Sequence, residues 1–138
     1  MSMPTFPPEP LELVERVVAL PAVPVEKDYV FDGPDGAARL IDLFEGRSQL
    51  IVYHFMWLHD IDEGCPSCSF MADHTDGMRV HLEHRDVSFV AVSRAPLADI
   101  ERFKHRMGWK FEWVCSQNVA RFSYKRGSSP HSGFSTLM

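Results

Sequence analysis

The sequence predicts an α/β fold with a parallel or mixed central sheet and helices packed on both of its faces. Two apolar runs carry the prediction: Gln49–Trp57 and Val87–Ser93 are nearly continuous, as in strands buried on both sides. Helical patterns lie between and after these runs. Alternation of strand and helix is the pattern of βα units around a sheet. At 138 residues and 15.8 kDa the chain is the size of one domain. Its 45% hydrophobic and 24% charged residues are ordinary for a water-soluble protein.

The elements follow in order. The first ten residues hold four prolines and read as a loose arm. Leu11, Val14, Val17 and Val18 repeat at helical spacing up to Leu20, and Pro21 stops that helix. Lys27 to Phe31 reads as a short strand, and Asp32-Gly33-Pro34-Asp35-Gly36 as a turn. Arg39 to Phe44 suits a short helix closed by Gly46. After the strand Gln49–Trp57 comes an acidic loop, Leu58 to Gly64, then a helix to about Glu83. Pro96 starts another helix, with Leu97, Ile100, Phe103 and Met107 on one face and Gly108 at its end. Phe111 to Val114 begins a third core strand.

Charge divides the chain unevenly. All 19 acidic residues precede residue 115, whereas 115–138 carries Arg121, Lys125 and Arg126. The net charge of −5 therefore combines a body of −8 with a basic, Ser-rich tail of +3. We divide the chain into an N-terminal arm and helix (1–23), a core domain (24–114) and an atypical tail (115–138). An acidic chain lacks the broad basic surface that nucleic acid requires, so no nucleic-acid partner is expected. No apolar run approaches the roughly 20 residues of a membrane span. The N-terminus has no basic region followed by an apolar stretch, so no secretory signal is read and a cytoplasmic location is expected.

Three cysteines are too few, and odd in number, for a disulfide-stapled secreted fold. Two of them form Cys65-Pro66-Ser67-Cys68, where a buried strand and loop give way to a helix. At a helix N-terminus, unpaired N–H groups and the helix dipole favour an anion. A thiolate at Cys65 gains from that field, and its pKa should fall below about 8.5. Pro66 suits the first helical turn because it has no N–H to satisfy. Cys68 stands one turn further on, where it can close a disulfide with Cys65. Cys65 would then attack a partner's sulfur and Cys68 would resolve the mixed disulfide. Two other readings remain open at this level. The pair can be ordinary buried apolar residues. It can also be half of a zinc site completed by His59, His74 or Cys115, although a second CxxC or a CxxH is missing.

Several ordered segments resemble one bacterial family, the thioredoxin-like family catalogued as domain of unknown function 899. They are Leu50-Ile-Val-Tyr-His-Phe-Met56, the acidic loop ending Glu63-Gly64, Cys65-Pro-Ser-Cys-Ser-Phe70 with Ala72-Asp73, His84-Arg-Asp-Val87, Val90-Ala-Val-Ser-Arg-Ala-Pro96, Arg106-Met-Gly-Trp109 and Trp113-Val114. The resemblance covers about residues 24–114. It implies a thioredoxin-like fold related to the alkyl-hydroperoxide-reductase type of peroxiredoxin. It also implies a dithiol–disulfide oxidoreductase with no cofactor, a disulfide or peroxide substrate on a protein or small molecule, and a thiol reductant. After Val114 the chain departs from the family pattern, at the same place as the break in charge. This reads as a truncated or shifted reading frame. The closing C-terminal strands are therefore expected to be missing, with no clear candidate for a cis-proline wall, since Pro96 starts a helix and Pro130 lies in the tail. The resulting exposed sheet edge would invite pairing with a second copy.

Other residues are secondary. Arg94 follows the strand Val87–Ser93, at the end of the sheet where α/β proteins bind ligands, so it is a candidate to support a thiolate or a substrate anion. Capping a strand in solvent is the equal alternative. Trp57 reads as core packing more than as a substrate platform. Acids of the 60–63 loop would raise a nearby thiol's pKa. His74, His81 and His84 read as surface residues and His54 as a hydrogen-bonded core histidine, with no metal motif. Alternative functions are a peroxiredoxin-type thiol peroxidase, although the usual threonine before the nucleophile is absent in Ile61-Asp-Glu-Gly64, and a non-catalytic thioredoxin-like binding module.

Overall fold

The structure is a computed structural model. It describes residues 24–119 and 133–137, together with Glu12, Glu15, Arg16 and Ala19. The remaining parts of the N-terminal arm and Leu11–Leu20 helix, the tail's three basic residues and Pro130 lie outside the described residues.

Alternation of side chains along three adjacent strands builds two cores, one on each face of the sheet. Strand β3 (Gln49–His54) runs parallel to β6 (Val87–Ser93), with Gln49 opposite Val87 and His54 opposite Val92. Strand β6 in turn runs parallel to β7 (Glu112–Cys115). Leu50, Val52, Val90, Val92 and Val114 point to one face. Tyr53, Phe89, Ala91, Trp113 and Cys115 point to the other. A hairpin of β1 (Val30–Gly33) and β2 (Gly36–Arg39) joins the far side of β7 through Asp32 and Cys115. Its turn relies on Gly36, whose φ of 109° belongs to glycine. A two-stranded excursion, β4 (Trp57–Leu58) and β5 (Glu63–Gly64), lies outside the main sheet.

Helices α1 (Pro66–Thr75), α2 (Arg79–Glu83) and α3 (Leu97–Met107) all deliver side chains to the Trp113 core. The opposite face is covered by a 3-10 helix, Leu40–Phe44. The expectation of helices on both faces is met by an α layer on one side and this 3-10 segment on the other. The single helix read from residue 66 to 83 is interrupted by a 3-10 turn, Asp76–Met78. Asp76 accounts for the break: its carboxylate accepts backbone N–H groups of Lys110 and Phe111 at 2.9 and 3.0 Å, which ties that corner to the start of β7.

One expectation is corrected. The sheet does have a strand from the tail: β8 (Gly133–Leu137) pairs antiparallel with β3, from His54–Gly133 to Leu50–Leu137. The sheet order is β2-β1-β7-β6-β3-β8, so β3 is an interior strand. Its other neighbour supplies one row of hydrogen bonds and β8 supplies the second. The composition of Gly133–Leu137 hides this, because an edge strand with polar residues has no strong apolar period. The chain after Val114 is also packed into the domain. Ser116 N–H donates to the Ser93 carbonyl at 2.9 Å, and Val119 is buried in the second core.

Candidate functional site

The end of β3 builds the bed on which the cysteine pair rests. Cys65 is the N-cap of α1 in an extended conformation (φ −57°, ψ 132°), and Pro66 is the first helical residue. The Cys65 N–H donates to the Met56 carbonyl at 3.0 Å, which aligns the cap with the end of the strand. The Cys65 carbonyl accepts both the Ser69 N–H and the Ser69 hydroxyl at 2.9 Å, the first closed turn of the helix. Cys68 lies inward and is buried, with its Sγ 3.5 Å from the Met56 N–H. Its carbonyl accepts the Tyr53 hydroxyl at 3.0 Å. Cys65 is half-buried, while Pro66 and Ser67 are exposed beside it. All three cysteines are free thiols.

The electrostatics match this geometry. The Cys65 thiol is held below its ordinary value chiefly by the Cys68 N–H. Partial burial opposes the shift, and the Ser67 N–H with the Cys68 and Ser67 side chains adds to it. The Tyr53 phenol is pushed up by burial, reinforced by the two sulfurs, and stays protonated. Burial raises the Cys115 thiol, with Asp32 adding to it and the Gln117 N–H opposing.

Asp62 and Glu63 of the acidic loop are engaged by other partners. Between Leu58 and Glu63 the chain turns sharply, with Asp62 at φ 54°. Asp62 accepts from the Trp57 indole at 3.2 Å and from Arg102 at 3.4 Å, and Glu63 accepts from Arg106 at 2.9 Å. The Asp62 and Glu63 carboxylates thus face α3. Arg106 holds Glu63 below the usual carboxylate range. Trp57 is buried, packed edge-on to Phe103 and Trp113 at 5.6 and 6.5 Å. Its role here is packing under the hairpin. Gly64 has no room for a side chain, because a Cβ would stand 2.7 Å from Phe103 and 2.8 Å from Phe55.

Arg94 is exposed beyond β6 and forms no hydrogen bond or ion pair among the described residues. His59, His74, His81 and His84 are exposed, and no group of three metal-binding side chains converges among the described residues. His54 is half-buried, and burial lowers its pKa. Among the described residues there is no cis peptide bond, and Pro96 caps α3. No helix among them is long and apolar enough to cross a membrane.

Sequence reasoning did not single out Tyr53, Met56 or Ser93. Tyr53 carries the one available signal, a hydroxyl on an otherwise apolar buried strand that needs a partner. Ser93 donates to the Phe55 carbonyl at 2.8 Å and accepts the Trp113 indole N–H at 3.0 Å. It holds the strand segment leading to the site against the centre of the aromatic core.

A family model described as bacterial protein of unknown function (DUF899) matches residues 11–133. The chain belongs to this family. The match extends beyond residues 24–114 at both ends and runs through the break in charge. No curated protein matches the chain. Solved structures are similar in fold. Peroxidoxin BcpB from Mycobacterium tuberculosis superposes with a TM-score of 0.57 at 17% identity, covering 77% of this chain and 68% of that one. A mutant of PrxQ from Xylella fastidiosa gives 0.53 at 15% identity, covering 68% and 54%. A Chlorobium tepidum protein designated as thiol:disulfide interchange protein DsbE gives 0.50 at 18% identity, covering 67% and 61%. This family member is therefore a thioredoxin-like α/β protein. It spans about half the length of the Xylella protein it resembles.

Proposed function

We propose that the protein is a dithiol–disulfide oxidoreductase in which Cys65 is the nucleophile and Cys68 the resolving thiol. The observation that carries this reading is the Cys65 sulfur at the cap of α1, its thiolate favoured by the Cys68 and Ser67 N–H groups, with Cys68 one turn away. The Cys65 thiolate attacks one sulfur of a partner disulfide. A mixed disulfide forms, and the partner's other sulfur leaves as a thiolate. The Cys68 sulfur, giving up its proton to solvent, then attacks the Cys65 sulfur. The Cys65–Cys68 disulfide closes, and the partner's second sulfur is released. Two electrons pass from the dithiol to the partner, and a thiol reductant returns the protein to its starting state. Pro66 and Ser67 shape the cap, and no cofactor takes part. The reading fits a reducing compartment such as the cytoplasm.

Insulin reduction and peroxide consumption, assayed side by side, test the proposal. Disulfide reduction that is lost in Cys65→Ser, together with a trapped mixed disulfide in Cys68→Ser, is the expected result. Peroxide turnover without disulfide reduction would replace it with a thiol peroxidase. Inactivity in both assays with an ordinary Cys65 pKa would leave a binding module. Gel filtration tests whether two copies join through an edge of the sheet.

A further inference from the structure

We infer that Tyr53 is the positioning residue of the cysteine pair: its hydroxyl pins the first turn of α1 to β3 and so holds the Ser67 and Cys68 N–H groups against the Cys65 sulfur. The inference rests on the exchange reading above and concerns how that site is tuned. Three contacts tie residues 53–56 to the motif. Tyr53 donates to the Cys68 carbonyl, the Met56 N–H approaches the Cys68 sulfur, and the Met56 carbonyl accepts the Cys65 N–H. The last uses only backbone atoms that any sequence supplies, and the second joins a backbone N–H to the motif's own sulfur. The first depends on one side chain, reaching the motif across the whole β4–β5 excursion.

The hydroxyl is not explained by packing. Tyr53 is 2% exposed, and its ring meets Phe55 edge-on at 5.7 Å and Phe89 at 6.4 Å. Phenylalanine would make those contacts at no desolvation cost, whereas a buried hydroxyl is unfavourable unless hydrogen-bonded. Its partner is the carbonyl of Cys68. Burial and the two sulfurs keep the phenol protonated, so it serves as a donor and takes no proton from either thiol. Because β3 is paired on both sides, it is a rigid anchor for the turn. The effect of the N–H groups of that turn on Cys65 depends on their distance and direction.

The test compares the reduced wild type with Tyr53→Phe and Thr75→Val, reading Cys65 alkylation against pH by peptide mass spectrometry. Thr75 bonds the Met71 carbonyl at 2.6 Å at the far end of the same helix, so its loss loosens α1 without releasing the motif. Tyr53→Phe is expected to raise the Cys65 pKa by about one unit, read as about tenfold slower alkylation below the pKa. Thr75→Val is expected to leave the profile in place. A lowered wild-type value that Tyr53→Phe does not change, or an equal shift in Thr75→Val, would overturn the role of Tyr53 alone. A wild-type Cys65 that titrates as a free thiol and turns over no disulfide would overturn the exchange reading itself. Amide exchange in the unsubstituted protein is a second measure. Protection of the Ser69 N–H close to that of β3 is expected, and exchange at the rate of a fraying helix end would refute the anchor.

Discussion

Gly64→Ala introduces a single methyl group at the residue before Cys65, and its cost can be worked from three distances. The new Cβ would lie 2.7 and 2.9 Å from two carbons of the Phe103 ring and 2.8 Å from the Phe55 ring. Carbon atoms pack at about 3.5–4.0 Å, so each contact is short by roughly 1 Å. Neither ring is a free end that can swing away. Phe55 is 3% and Phe103 6% exposed, and Phe55 also packs on Trp109 and Trp113 at 5.8 and 4.5 Å. Relief requires movement of β5 or of the aromatic cluster, at a cost of about 1–3 kcal/mol. With a urea m-value of about 2 kcal/mol/M, the denaturation midpoint should fall by about 1 M. Gly77→Ala makes the same chemical change where a Cβ meets nothing within 4 Å. There the loss of unfolded-state freedom should leave the midpoint unchanged or raise stability by about 0.4–1 kcal/mol. Urea melts of the two variants followed by circular dichroism decide the matter. Equal midpoints for Gly64→Ala and Gly77→Ala would refute the packing argument.

Other consequences follow from the same structure. Ser93→Ala removes the acceptor of the Trp113 indole and the donor to the Phe55 carbonyl, both buried, and should cost about 2–3 kcal/mol in a urea melt. His54 is kept neutral by burial, so its folded pKa lies below the unfolded value of 6.5. The stability it contributes is complete above that value and is lost as pH falls through it. Thermal melts between pH 8 and 5 should therefore show a steeper acid decline in the wild type than in His54→Gln. Iodoacetamide labelling of the reduced, folded protein should rise with pH at Cys65 and level off below the pH at which a free thiol does. Cys115, buried and raised, should be labelled only after denaturation.

The features read most directly from sequence are those whose cause is local. Strand β6 is legible at its observed bounds, Val87–Ser93, because six of its seven residues are buried and Ser88 alone interrupts the apolar run before the closing Ser93. The position of Cys65 as a helix cap was legible because Pro66 announces the first turn. The end of β3 was not, since the apolar run continues through Phe55, Met56 and Trp57 while the backbone leaves the sheet. That departure is set by the hairpin, by Asp62 at positive φ and by Gly64 against two rings, all tertiary causes. The break in the helix after Thr75 depends on Asp76 bonding to residues over thirty positions away. The same holds for the site. The cysteines announce themselves by spacing, whereas Tyr53 looks like any core aromatic until its partner is seen.

The pairing of β3 with β8 also bears on how the protein comes into being. During synthesis β3, β6 and both motif cysteines emerge before residues 133–137 do. Until those residues arrive, the strand carrying Tyr53 has an open edge, and non-local pairing of this kind forms late. The nascent chain therefore passes through an interval in which its thiols are present but their support is incomplete. In that interval the two cysteines are ordinary thiols on a partly folded chain, and the stretch 49–54 offers an unpaired edge to other chains. Slow translation of the codons for residues 133–137 would lengthen that exposure without altering a single residue of the chain.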